Sequence, residues 1–437
     1  MKVETQCFQL VSNCFRLHLL LNACSYFVSH HIFIHFIFIH FTSHFRTSTS
    51  HLMKVAVVGC CHGLLDAIYR AVPAHTKLLI ICGDFQALRN LSDLETISVP
   101  RKYRRLGDFH KYYTGEKTAP VLTVFVGGNH ECSSYLDELK YGGWVAKNIF
   151  YLGQFGAVVY RGIRIAGISG IYNESSFRKN DPDPRLPYTD STLRSAYHVR
   201  PKTYVKAGFL GDDIDVFVSH DWPLEITNWG DVASLLRTKP FFRLDIEKGQ
   251  LGSPVNQCLL EKLMPRHWFS AHLHVKFEAL VRSGHRNEEE IEISMEDESE
   301  APTKPRETKF LALDKCMPKR KYLETVNIKS ATADNALYLD RRAIAINKVI
   351  EHYQPSLSKF ASAEILDLEI RQPQLYQEIA TAIEKEYSQL QQEPETLFLA
   401  SNLKFKQLAP GGPVAPGLRS YPNNQTMEYV ERYGIRS

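Results

Sequence analysis

The run Val121–Glu131, VLTVFVGGNHE, constrains the fold of this chain more than any other. Val121 to Val126 form a short apolar, β-rich segment of the kind buried on both faces of a sheet. Gly127 and Gly128 end it, and Asn129, His130 and Glu131 follow at once. Chemistry therefore sits at the carboxyl end of a buried strand, where open α/β sheets bind ligands. The same design recurs along the chain. Lys54–Val58 leads to Cys60-Cys61-His62, Leu78–Ile81 to Gly83-Asp84, Ile214–Ser219 to His220-Asp221, and Trp268–Ser270 to Ala271-His272-Leu273-His274. Short apolar strands separated by helices predict a layered α/β fold.

Around this core the 437 residues divide by pattern. Residues 1–52 read as a low-complexity extension outside the fold, because Met53 opens a first strand, MKVAVVG; a membrane or signal segment and an organelle presequence are the competing readings. Residues 53–324 read as the α/β domain that carries these strand ends. Within it, Arg101–Tyr113 reads as a basic, aromatic helical region, and 283–308 as an acidic solvated loop, since Phe310–Cys316 returns as a core strand. Residues 325–437 read as a small helical domain, with Leu375, Ile379, Ile383 and Tyr387 spaced four apart. The net charge of +4 does not by itself demand a polyanionic partner. Nine scattered cysteines without a CxxC pair fit a reducing compartment.

Taken singly, the strand-end residues are ordinary. A lone His is usually a satisfied polar residue, Cys60 or Cys61 a small core filler, and Gly-Asp a turn. Their joint order is harder to explain by packing. Cys60, His62, Asp84, Asn129, His220, His272 and His274 are the side-chain types that bind borderline divalent metals. They exceed one tetrahedral site and suit two cations bridged by a carboxylate, for which Asp84 is the natural choice. His130 lies close enough to the centre to act as a general acid without holding a metal. A polar, aromatic insertion over 169–199 offers Tyr172, Phe177, Tyr188 and Tyr197 for stacking on unpaired bases, and Arg178, Lys179, Arg194 and Arg200 for phosphates.

The series GCCHG, GD, GGNHE, SHD and AHLH resembles the calcineurin-like metallophosphoesterases, with Cys60 where that family carries Asp and Ala271 in place of Gly. These departures, with the strings GDFQALRN, KYYTGEK, YGGWVA, SHDWP, FSAHLHVKFEA and TKFLALDKC, resemble the lariat-debranching branch of that family. The resemblance covers Met53–Leu323 closely and the tail more loosely. It implies a two-sheet β-sandwich flanked by helices, with a small helical C-terminal domain. It also implies hydrolysis of the 2′–5′ phosphodiester of intron lariats, with one or two Fe(2+), Zn(2+) or Mn(2+) ions on the seven residues above. His130 and Asp84 match the catalytic positions, Glu131 is expected to orient His130, Asp221 to support a ligand, and 169–199 to recognise the lariat. The implied partner is branched intron lariat RNA in the nucleus, with no membrane and no obligate protein partner. Another phosphodiester or phosphomonoester substrate, or a non-catalytic scaffold, are the alternatives.

Overall fold

The structure, a computed structural model, describes residues 51–179, 181–283 and 306–435. The expected extension over 1–50 and the greater part of the acidic loop 283–308 lie outside the described residues. In chain order the strands are β1 (His51–Val58), β2 (Leu78–Ile81), β3 (Leu122–Phe125), β4 (Gly143–Ala146), β5 (Ile149–Tyr151), β6 (Phe155–Tyr160) and β7 (Ile163–Ile168). They continue as β8 (Val216–Ser219), β9 (His267–Ser270), β10 (Phe277–Arg282), β11 (Glu307–Ala312), β12 (Leu323–Ser330) and β13 (Leu337–Leu339). Two sheets result, ordered β12-β1-β2-β3-β5-β4 and β10-β11-β9-β8-β7-β6-β13.

Alternation of side chains along the strands explains why these runs are apolar throughout. Met53, Val55 and Val57 of β1 and Leu78 and Ile80 of β2 join the large core that also holds Ile165, Val216 and Val218 of the second sheet. Ala56, Val58, Leu79 and Ile81 face the other way, onto Leu65 and Ile68 of the helix Leu65–Ala71 and onto Phe85 and Phe109. Strands β1, β2 and β3 run parallel in the first sheet, and β7, β8 and β9 in the second. The segments after β1, β2, β3, β8 and β9 therefore carry their polar residues to a common edge.

Three elements differ from expectation. Strand β1 starts at His51, so residues 51 and 52, expected outside the fold, pair with Ser330 and Lys329. The expected boundary at 324/325 falls inside β12, whose Val326 and Ile328 suit a strand, and the helices start only at Arg341–Leu357. That helix packs on Pro373–Gln392, with Ile344, Ile350, Ile379 and Ile383 buried in the same core as the sheets. Arg101–Tyr113 is not one helix: a 3₁₀ turn, Arg101–Tyr103, is followed by an irregular stretch and the short helix Phe109–Tyr113. Among the described residues no helix is long and apolar enough to cross a membrane.

Candidate metal centre

Asp84, only 1% exposed, is the hub of the strand-end residues. Its Oδ2 lies 3.7 Å from His62 Nε2, and its Oδ1 lies 3.4 Å from His220 Nε2 and accepts from the His130 N–H at 2.9 Å. On the Oδ2 side, one ligand atom each from Cys60, His62, Asp84 and His274 lie within 4.8 Å of one another. His62 Nε2 and His274 Nε2 are 3.2 Å apart there. On the Oδ1 side His220 Nε2 lies 3.2 Å from Asn129 Oδ1, and the His272 ring lies 5.1 Å from that of His220. The seven residues thus fall into two sets that share one carboxylate.

Protonation explains what such an arrangement suits. His220 Nδ1 donates to the Cys82 carbonyl at 2.7 Å, which leaves Nε2 with a lone pair aimed at the centre. Burial pushes the His220 pKa down to about 4 and that of His274 to about 3, and it lowers His62 as well. Burial alone would raise the Asp84 carboxyl, but His220, His62 and His130 outweigh it and hold it below the usual carboxylate range. At neutral pH His62, His220 and His274 are therefore neutral, and the His220 Nε2 lone pair faces two acceptors, Asn129 Oδ1 and Asp84 Oδ1. Burial and the charge of Asp84 push the Cys60 thiol up, so a thiolate there needs a cation beside it. The donor set fits divalent metal ions.

The local backbone is bent to achieve this. His62 (φ 48°), Asp84 (φ 47°), His272 (φ 57°) and His274 (φ 51°) all adopt the left-handed region, which is uncommon for non-glycine residues. Two glycines make the close approach possible. A Cβ at Gly83 would stand 2.2 Å from His220 Nδ1, and one at Gly128 would stand 2.4 Å from Asp84 Oδ1.

Two family profiles match the chain: calcineurin-like phosphoesterase over residues 53–276, and lariat debranching enzyme, C-terminal domain, over 305–437. The lariat debranching enzyme of Arabidopsis thaliana is 44% identical over 317 residues, covering 71% of this chain and 71% of that one. This chain belongs to the lariat debranching enzyme family. The enzyme of Gallus gallus is 48% identical over 68% of this chain, and that of Homo sapiens 50% identical over 63% of it. The chain spans about half the length of these two relatives, 54% and 50% respectively.

The neighbours of the centre depart from expectation in two places. Glu131 does not touch the His130 imidazole. Its carboxylate accepts from Phe85 N (2.6 Å), Gln86 N (2.7 Å) and Gly128 N (3.1 Å), clamping the Asp84 turn to the end of β3. His130 is oriented instead by Ser98, whose carbonyl accepts from Nδ1 at 3.2 Å, while Asn129 Nδ2 donates to Nε2 at 3.2 Å. Asp221 accepts from Trp222 N and Tyr172 N and bears electrostatically on His272 without bonding to His220. The partners that orient His130 and His220 are backbone carbonyls, for which sequence carries no signal.

The 169–199 segment reaches the centre at His130, because Ser98 Oγ donates to Tyr197 OH at 3.5 Å. Beneath the segment, a cavity of about 240 Å³ is lined by Gly128, Glu131, Lys140, Tyr188, Tyr197 and Arg200 among others. Tyr172, Tyr188 and Tyr197 are half-buried, and Arg178, Lys179 and Arg194 are exposed, as base and phosphate contacts need. Phe177 and Arg200 are not so placed. Phe177 is 0% exposed in the core against Tyr172 and Tyr204. Arg200 is 7% exposed and donates to the carbonyls of Ser176 and Ser195, which holds the segment in shape.

Proposed function

We propose that this chain is a metal-dependent phosphodiesterase that hydrolyses the 2′–5′ phosphodiester at the branch point of excised intron lariats. The observation that carries this reading is the Asp84 carboxylate with one oxygen turned to each of two donor sets, bonded to the backbone of His130. Membership of the lariat debranching family and the aromatic, basic segment 169–199 support the branched substrate. Cys60, His62, Asp84 and His274 would hold one cation, and Asp84, Asn129, His220 and His272 another, with Fe(2+), Zn(2+) or Mn(2+) matching their N, O and S donors. Such ions supply Lewis acidity to phosphoryl oxygens and lower the pKa of water.

The protein's own part is orientation and proton transfer. The Ser98 carbonyl holds His130 Nδ1, so Nε2, which here accepts from Asn129 Nδ2, is the nitrogen that would give a proton to the departing 2′ oxygen once the ring is protonated and that bond is released. Glu131 holds the Asp84 turn and Gly128 in register. Tyr172, Tyr188 and Tyr197 would stack on splayed bases, with Arg178, Lys179 and Arg194 on phosphates. Lariats arise in the nucleus, which is where this reading puts the activity. The test is cleavage of a synthetic branched RNA beside a linear 3′–5′ control, with Fe, Zn or Mn supplied. We expect a cut at the 2′–5′ bond alone, and a loss of roughly 10²–10⁴-fold in His130→Ala. Hydrolysis of a generic phosphodiester with the branch left intact would favour the alternative, a metallophosphoesterase of other specificity.

A further inference from the structure

The 169–199 segment meets the centre at His130, but a second feature meets it at His274. Directly after His274, Val275 and Lys276 open a groove of about 450 Å³ that runs between Val232–Thr238 and the loop carrying Lys319, Arg320 and Lys321. The acids along it are already engaged. Asp314 pairs with Arg320 at 3.3 Å, Glu278 with Lys276 at 3.4 Å, and Asp231 caps the helix by accepting from Ser234 N. The lining carries Lys276, Lys319, Arg320 and Lys321 against Asp231, Glu278 and Asp314, a surplus of one positive charge, and Lys239 and Lys315 lie close by with no ion pair among the described residues. Partial burial lowers the Lys239 pKa, and crowding by Arg320 and Lys315 lowers it further against the pull of Asp314. Lys239 Nζ lies 5.6 Å from the ring of Phe241, which is 67% exposed. A groove of net positive charge with an exposed aromatic near it is what a single nucleic-acid strand requires, phosphates on the one and a base on the other.

A branch point sends three strands away from one ribose, through its 2′, 3′ and 5′ oxygens, and the segment over His130 accounts for only part of that path. We infer that the groove from Lys276 to Lys321 holds the ribose–phosphate backbone of one arm of the branched RNA, with Phe241 stacked on a base. The inference rests on the debranching reading and extends it from the branch to a strand leaving it.

The test uses the full chain with a minimal branched RNA and three versions, each with one arm lengthened by roughly eight nucleotides, within the usual range for single-strand sites. The variant is Lys319→Asn with Lys321→Ser; asparagine tolerates the left-handed backbone of Lys319 (φ 63°). Lengthening one arm should tighten binding to the wild type, and the variant should lose about tenfold of that gain at physiological salt. Its log–log salt slope should fall by about 1.4, two contacts at ~0.7 each. Phe241→Ala should weaken the same arm with the slope unchanged. Equal loss on the minimal branch, or no loss on any arm, would overturn the groove assignment. So would loss of binding to an acidic peptide alone, which would make the groove a protein-docking surface. Cleavage of the minimal branch by wild type is scored in parallel. Its absence overturns the debranching reading and this assignment together, whereas cleavage without an arm-specific loss overturns the groove alone.

Discussion

Gly128→Ala tests the geometry at the hub most directly. The added Cβ would sit 2.4 Å from Asp84 Oδ1, 2.5 Å from Asp84 N and 2.8 Å from His220 Cε1. Favourable non-bonded contacts lie near 3.5–4.0 Å, so the shared carboxylate or the glycine loop must retreat by about 1 Å. Neither is the free end of a flexible side chain, because Asp84 is held by its own backbone and by the His130 N–H. A misplacement of that size costs on the order of 10²-fold in rate, about 2.7 kcal/mol of transition-state stabilisation. Overpacking adds a stability loss of about 1–3 kcal/mol. The neighbouring Gly127→Ala is the internal control: its Cβ would meet Leu136 Cδ1 at 3.0 Å and Ser169 Cβ at 3.5 Å, and a leucine methyl can turn aside. The assay is kcat/KM on a branched RNA beside thermal melting and metal content for both variants. A Gly128→Ala enzyme within threefold of wild type, or one no worse than Gly127→Ala, would refute the claim that this contact sets the carboxylate.

Three further outcomes are expected. Arg164 bonds Asp340 at 2.7 and 3.1 Å and the Leu210 carbonyl at 3.0 Å, and Asp340 caps the helix Arg341–Leu357, so Arg164→Ala should cost about 3–5 kcal/mol in chemical denaturation. Phe177→Ala should lower stability by about 3–5 kcal/mol, while the exposed Arg194→Ala should weaken RNA binding and leave the melting temperature alone. Burial and Arg200 push the His198 pKa down to about 4 in the folded chain, with Ser176 Oγ its bonded neighbour at 2.8 Å. The unfolded chain then binds the extra proton first, so this contribution is intact above about pH 6.5 and is lost as pH falls towards 4. His198→Asn should flatten that part of the stability–pH curve, and an unchanged curve would count against the assignment.

The strands and the convergence of the residues that follow them were legible in sequence for one physical reason. A strand buried on both faces must be apolar throughout, so the first polar side chain after it stands out, and here those side chains meet around Asp84. What escaped was decided by partners remote in sequence. Strand β12 lies in register against β1, and its half-buried Thr325 and exposed Asn327 dilute the apolar signal. Glu131 adjoins His130 in sequence, yet its carboxylate turns to the Asp84 loop. In 169–199, composition identified a polar, aromatic segment without telling which aromatic turns inward, and Phe177 does. Lys319, Arg320 and Lys321 share one groove with Val275 and Lys276, a neighbourhood that spacing along the chain does not reveal.

The left-handed residues at the centre allow the metal dependence to be argued through stability. Each costs about 1–2 kcal/mol for a non-glycine side chain. At His274 (φ 51°) that strain is set against a hydrogen bond between its Nε2 and that of His62 at 3.2 Å, which either ring can donate. Glycine at 274 removes the strain, loses a bond of about 0.5–1.5 kcal/mol and returns ~0.5–1 kcal/mol to the unfolded chain as entropy. In chelator, His274→Gly should therefore stay within about 1.5 kcal/mol of wild type. With Zn or Mn at a hundred times its dissociation constant, wild type gains about 2.7 kcal/mol by linkage, and the variant, one ligand short, gains much less. The gap between the two melting temperatures should therefore widen in favour of wild type when metal is added. A gap that metal leaves unchanged would mean that the bent backbone at His274 is not maintained for a cation.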